Sequence, residues 1–172
     1  MMSRTHVPAG IACALAFAPP HLALIGAYAA AGAFGAVLPD IDSRRSWVGR
    51  KVRIMSDVIE HVAGHRRLFH SLAGMAGLVA LVYILLRIYH PAYLILLVPF
   101  LVGYLSHLVL DTVAGGVPWL YPLVKKRVGL TLKTDGAIER WLLRPILVVV
   151  MLFTAYHALA PIVGHTISTL FS

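Results

Sequence analysis

The stretch Gly103-Tyr104-Leu105-Ser106-His107-Leu108-Val109-Leu110-Asp111-Thr112 ends an apolar run with an imidazole and a carboxylate four residues apart. On a helix that spacing stacks His107 and Asp111 on one face, where a ring nitrogen and a carboxylate oxygen can reach one ion. The same pair also suits a plain hydrogen bond that caps the helix. An ionisable pair at the end of a membrane-length segment is costly unless paired or coordinated, so the neighbouring groups decide between the two readings. Leu38-Pro39-Asp40-Ile41-Asp42 supplies two acids one residue apart. They suit an oxygen pair for a divalent cation, or one ligand plus one base. A helix stop followed by an N-cap reads the same residues without chemistry. His65-Arg66-Arg67-Leu68-Phe69-His70-Ser71 leads into a second apolar run with His70 at its mouth, and His6 precedes the first.

Apolar helices must position these groups. Of 172 residues, 59% are apolar and 13% charged, with a mean hydropathy of +0.82, whereas soluble domains carry about 25% charged residues. The composition predicts an integral membrane protein with a single domain, residues 1–172, and an all-α fold: a polytopic membrane helix bundle. Residues 7–38 are apolar but broken by Pro19-Pro20, which remove two amide donors. Unbroken, that run would make a helix of about 46 Å against a hydrocarbon core of about 30 Å. A folded-back helical hairpin, residues 7–18 going in and 21–38 coming back, resolves the excess and places His6 beside Asp40. A cleaved signal peptide is the competing reading of the start, and the continuation of the apolar run to Leu38 argues against it. Three further spans are expected at 72–89, 92–110 and 141–160, with a short amphipathic surface helix within 43–64. The lone cysteine, Cys13, lies in an apolar run and implies no internal disulfide.

The net charge of +8 does not point to nucleic acid. Thirteen of the fifteen positive charges fall in two loops: Arg44, Arg45, Arg50, Lys51, Arg53, Arg66 and Arg67, then Lys125, Lys126, Arg127, Lys133, Arg140 and Arg144. The positive-inside rule produces this pattern when both loops are cytoplasmic, and contact with anionic lipid head groups follows. Direct nucleic-acid binding is not needed to explain it. Separate apolar segments then deliver His6, Asp40, His70, His107 and Asp111 to one membrane face. Their nitrogen and oxygen donors suit zinc, manganese or iron better than calcium, as one or two divalent ions. Buried salt bridges to the loop arginines are the alternative. Asp42 is then a general base or a partner to a ligating histidine, and Arg66 and Arg67 could hold an anionic group such as phosphate. No HExxH, GxSxG or glycine-rich phosphate loop occurs.

Thr5-His6, Leu38-Pro39-Asp40-Ile41-Asp42, His65-Arg66 with Phe69-His70-Ser71, and Ser106-His107 with Asp111-Thr112 together resemble the inner-membrane metal-dependent hydrolases described as LexA-binding. The resemblance covers almost the whole chain and implies a hydrolase in a bacterial inner membrane. The order of His, Asp, His and HxxxD is also similar to part of the zinc-dependent phospholipase C and P1 nuclease pattern. Carried over, it implies Asp40, His70, His107 and Asp111 around one ion, with His6 and a shared Asp111 at another. No histidine falls between His107 and His157, so the further ligands of a three-metal cluster are missing. The expected activity is hydrolysis of a lipid or lipid-linked phosphoester at the cytoplasmic bilayer surface. Two other classes stand beside it. One is a regulatory or adaptor protein that binds a cytoplasmic partner and has a structural metal. The other is a transporter, which would need polar residues in mid-membrane, of which the spans show almost none.

Overall fold

Consecutive prolines cannot continue a helix, and the chain reverses where they occur. The computed structural model describes residues 1–42 and 68–170. Five α-helices are described: α1 (Ser3–Leu15), α2 (Leu22–Val37), α3 (Leu72–Tyr89), α4 (Leu97–Val113) and α5 (Arg144–Leu170). A 3-10 turn, Leu38–Asp42, extends α2, and another, Pro91–Leu96, leads into α4. At about 1.5 Å per residue, α1 reaches about 20 Å and is too short to cross a membrane. Four longer segments have the length and apolarity to do so: Leu22–Ile41, Leu72–Tyr89, Pro91–Val113 and Glu139–Thr169. The architecture is thus an all-α membrane bundle in which α1 and α2 form the expected hairpin.

Two elements differ from the sequence reading. The last span extends past Pro161, which sits inside α5, and it begins with a π-helical turn at Glu139–Leu143. A membrane helix tolerates an internal proline because local adjustment and neighbouring groups satisfy the freed carbonyl. The connection between α4 and α5 is more than an interfacial loop. Antiparallel bridges pair Ala114 with Thr131 and Val117 with Val128, folding the segment back over the end of α4.

Small residues bring the backbones together, as expected where lipid offers no hydrophobic drive between helices. α1 packs against α2, α4 and α5, and α2 packs against α4. A Cβ on Gly10 would strike Ala36 Cβ, one on Gly35 would strike the Phe100 carbonyl, and one on Gly103 would strike the Gly32 carbonyl. The apolar surfaces of α3 and α5 face outward, with none of their span windows buried, which is where lipid belongs.

Gly103→Ala therefore forces two backbones apart, an overpacking cost of about 1–3 kcal/mol. It is expected to lower the melting temperature of the detergent-solubilised protein by several degrees. Gly26→Ala, whose added Cβ meets nothing within 4 Å, should leave the temperature unchanged.

Candidate metal centre

Each candidate ligand is delivered by a local device. α2 ends at Val37, so its last carbonyls lack partners within the helix, and Pro39 has no N–H to offer Ala36 three residues back. His107 on α4 uses that carbonyl. Its Nδ1–H donates to Ala36 O at 2.6 Å, which leaves Nε2 as the free lone pair of the neutral ring. One turn on, Asp111 presents its carboxylate on the same face. The 3-10 turn carries Asp40, which is 6% exposed. His70 sits in a tight turn before α3. Tyr104 Oη donates to the Phe69 carbonyl at 2.6 Å, and Ser71 Oγ donates to Leu68 O at 2.6 Å. Ser71 Oγ also accepts from Gly74 N at 3.1 Å and so caps the helix.

The result is a buried cluster. His70 Nε2 lies 3.3 Å from His107 Nε2, and Asp111 Oδ2 lies 3.5 Å from each. Asp40 Oδ1 stands 3.8 Å from His70 Nε2 and 4.0 Å from His107 Nε2. A tetrahedral ion with bonds of about 2.0–2.1 Å holds its ligand atoms about 3.4 Å apart, close to the three shorter separations. His6 stacks on His107 with ring centroids 3.8 Å apart, and its Nε2 is 3.2 Å from Asp111 Oδ1. Neither ring nitrogen of His6 makes an aligned hydrogen bond although the residue is fully buried. An orphaned buried imidazole costs free energy, which a cation would recover. Among the described residues, two sets of side-chain atoms converge closely enough for an ion, His6, His107 and Asp111, and Asp40, His70 and His107. The donor set therefore fits a divalent transition metal, and it contains no sulfur. Asp111 Oδ1 also pairs with the Met1 amino group.

A family model for the YdjM inner membrane protein matches residues 1–171. The chain belongs to the YdjM family. It is 34% identical over 145 residues to YvsG, an uncharacterized protein of Bacillus subtilis (strain 168), covering 83% of this chain and 88% of that protein. It is 36% identical over 89 residues to inner membrane protein YdjM of Escherichia coli (strain K12), covering 50% of this chain and 44% of that protein. The chain thus aligns with less than half the length of its E. coli relative. No solved structure matches.

In this YdjM-family chain the five expected ligands, His6, Asp40, His70, His107 and Asp111, come together. Asp42 ends the 3-10 turn two residues beyond Asp40. Arg66, Arg67 and the expected surface helix lie outside the described residues. Ser106 and Thr112 bond to carbonyls of their own helix, Gly103 O and Leu108 O. His157 lies against Phe153 on α5 with ring centroids 4.3 Å apart, away from the cluster.

Sequence reasoning assigned no role to Glu139, which is 3% exposed. It accepts from Thr5 Oγ1 at 2.5 Å, Met2 N at 2.9 Å and Asp135 N at 2.7 Å, with Arg144 at 3.8 Å. Arg144 Nε also donates to Thr5 Oγ1 at 3.2 Å. Arg144 and then Arg140 donate to Asp135 and hold its carboxyl below the usual carboxylate range. This knot ties the start of α5 to α1 one residue before His6. Its only sequence signal was an acid and an arginine opening an apolar span.

A cleft opens over the cluster, lined in part by His70, Asp111, Gly115, Gly116, Arg127 and Thr134. Elemental analysis of the purified protein is expected to find a transition metal that His107→Ala or Asp111→Ala removes. His157→Ala should retain it. Equal metal content in all three variants would place the ion elsewhere.

Proposed function

We propose that this YdjM-family protein is a membrane-bound metal-dependent hydrolase that acts on a phosphoester of a lipid or lipid-linked substrate. The supporting observation is the convergence of three imidazoles and two carboxylates, from α1, the Leu38–Asp42 turn, the turn before α3 and α4, beneath an open cleft. His70, His107, Asp111 and Asp40 would hold the ion, with His6 beside it, zinc being the metal best matched to this donor set and manganese or iron the others. A divalent ion held by these residues would supply a water of lowered pKa, towards ~7, and a positive charge for an ester oxygen.

The chain's own residues supply the rest. The His107 Nδ1–Ala36 hydrogen bond fixes the tautomer and orientation of one ligand. Asp42 is our candidate for accepting the proton of the attacking water, and Arg66 and Arg67 for gripping an anionic group at the mouth. The segment after α4, which carries Lys125, Lys126 and Arg127, folds over the cluster end of the bundle, and the positive-inside rule supports a cleft that faces the cytoplasm. A substrate confined to the bilayer surface would then meet it without leaving the membrane.

The test is a panel of labelled phospholipids, lipid-linked phosphates and soluble phosphodiesters presented to protein reconstituted with zinc, manganese or iron. Turnover of one class is expected. Asp111→Ala is expected to lose more than the ~10–100-fold typical of outer-shell changes. Full activity in Asp111→Ala would contradict the mechanism. Metal-replete protein inert to the whole panel would favour a structural metal in an adaptor protein.

A further inference from the structure

Among the described residues, Arg127 is the one lysine or arginine whose side chain lines the cleft. Its position is set by the segment that folds over α4. Val117 N donates to Val128 O at 3.1 Å and Val128 N to Val117 O at 3.0 Å. Leu130 N donates to the Thr112 carbonyl at 2.8 Å and Leu132 N to the Val113 carbonyl at 3.2 Å. The backbone on the far side of Arg127 is thus stitched to the residues that directly follow Asp111. The next two arginines along the chain are committed elsewhere, Arg140 and Arg144 both pairing with Asp135. Arg127 makes no ion pair with any carboxylate among the described residues, and a guanidinium left free beside a cleft can receive an oxyanion through two parallel hydrogen bonds.

The backbone beside Arg127 favours such a guest, since a Cβ on Gly116 would come within 3.4 Å of Arg127 Cβ. Gly115 and Gly116 adopt φ of 151° and 83°, conformations that glycine takes without strain, and they present bare backbone to the cleft. A Cβ on Gly115 would meet nothing within 4 Å, so the space beside it is open. A divalent ion would offset the charges of Asp40 and Asp111, leaving the Arg127 charge for the ligand. Leu120, Leu123 and Val124, just before Lys125, are 56%, 90% and 44% exposed. Exposed apolar residues beside a basic cluster suit the head-group region, which sets Arg127 at the depth of lipid phosphates.

We infer that Arg127 is an anion-recognition residue of this site in addition to Arg66 and Arg67 at the mouth, holding a phosphoryl oxyanion in the cleft above His70 and Asp111. The inference rests on the hydrolase reading for the choice of phosphate, but its test is a binding measurement without turnover. Metal-loaded full-length protein would be titrated with inorganic phosphate in one arm. Dioctanoyl phosphatidic acid would serve in the other, with dioctanoylglycerol as the phosphate-free control.

Arg127→Ala is expected to weaken phosphoryl binding at least tenfold with unchanged metal content, and Arg127→Lys to restore part of it, since an ammonium cannot form the fork. Lys125→Ala/Lys126→Ala should bind like wild type. Dependence on Arg127 in either arm supports the assignment and tells free phosphate from lipid head group. Wild-type affinity in Arg127→Ala, no phosphoryl binding by wild type in either arm, or an equal loss in the lysine double variant would overturn it. Arg127-dependent binding without hydrolysis of any substrate would sink the hydrolase reading and leave this assignment standing.

Discussion

The hydrogen bond from His107 Nδ1 to the Ala36 carbonyl is the constraint from which the rest of the arrangement follows. It joins the end of one membrane helix to the middle of another, so α2 and α4 must approach at backbone distance. Gly35 and Gly103 make that approach sterically available, each in contact with the main chain of the other helix. Once the ring is fixed, its Nε2 points to where His70, Asp40 and Asp111 arrive. Sequence, packing and chemistry are thus linked through one carbonyl that helix termination and a proline leave without its usual donor.

Electrostatics explains why these groups must stay together. Carboxylates and imidazoles at the end of an apolar bundle are costly unless each is paired or coordinated. His6 shows the pressure most clearly, since it is fully buried, stacked on His107 and without an aligned hydrogen bond. The Glu139 knot holds α1 in register through Thr5 and the Met2 amide, so His6 has little freedom to withdraw. A second buried polar centre thereby serves the first, one supplying placement and the other the donor atoms.

The hairpin, the all-α bundle and the ligand cluster were legible in the sequence because each rests on a strong local signal. Pro19-Pro20 breaks an overlong apolar run, and the four-residue spacing of His107 and Asp111 puts both on one helix face. Glu139 and Arg127 gave no such signal. Glu139 meets Thr5 and Met2 across more than 130 residues of chain, and neither partner forms a spaced pattern with it. Arg127 looked like one member of a basic run; only the pairing of Val117 with Val128 turns it toward the cleft. Isolated bridges leave no alternating run of residues for a sequence reading to find. The last span was expected to end at 160, and the helix instead runs on through Pro161, as a membrane setting allows.

X-ray absorption at the edge of whatever metal accompanies the purified protein tests the central claim most directly. The account predicts a shell of nitrogen and oxygen at about 2.0–2.1 Å with outer-shell scattering from at least two imidazoles. Sulfur in the shell, an absence of imidazole scattering, or protein that binds no transition metal would contradict it.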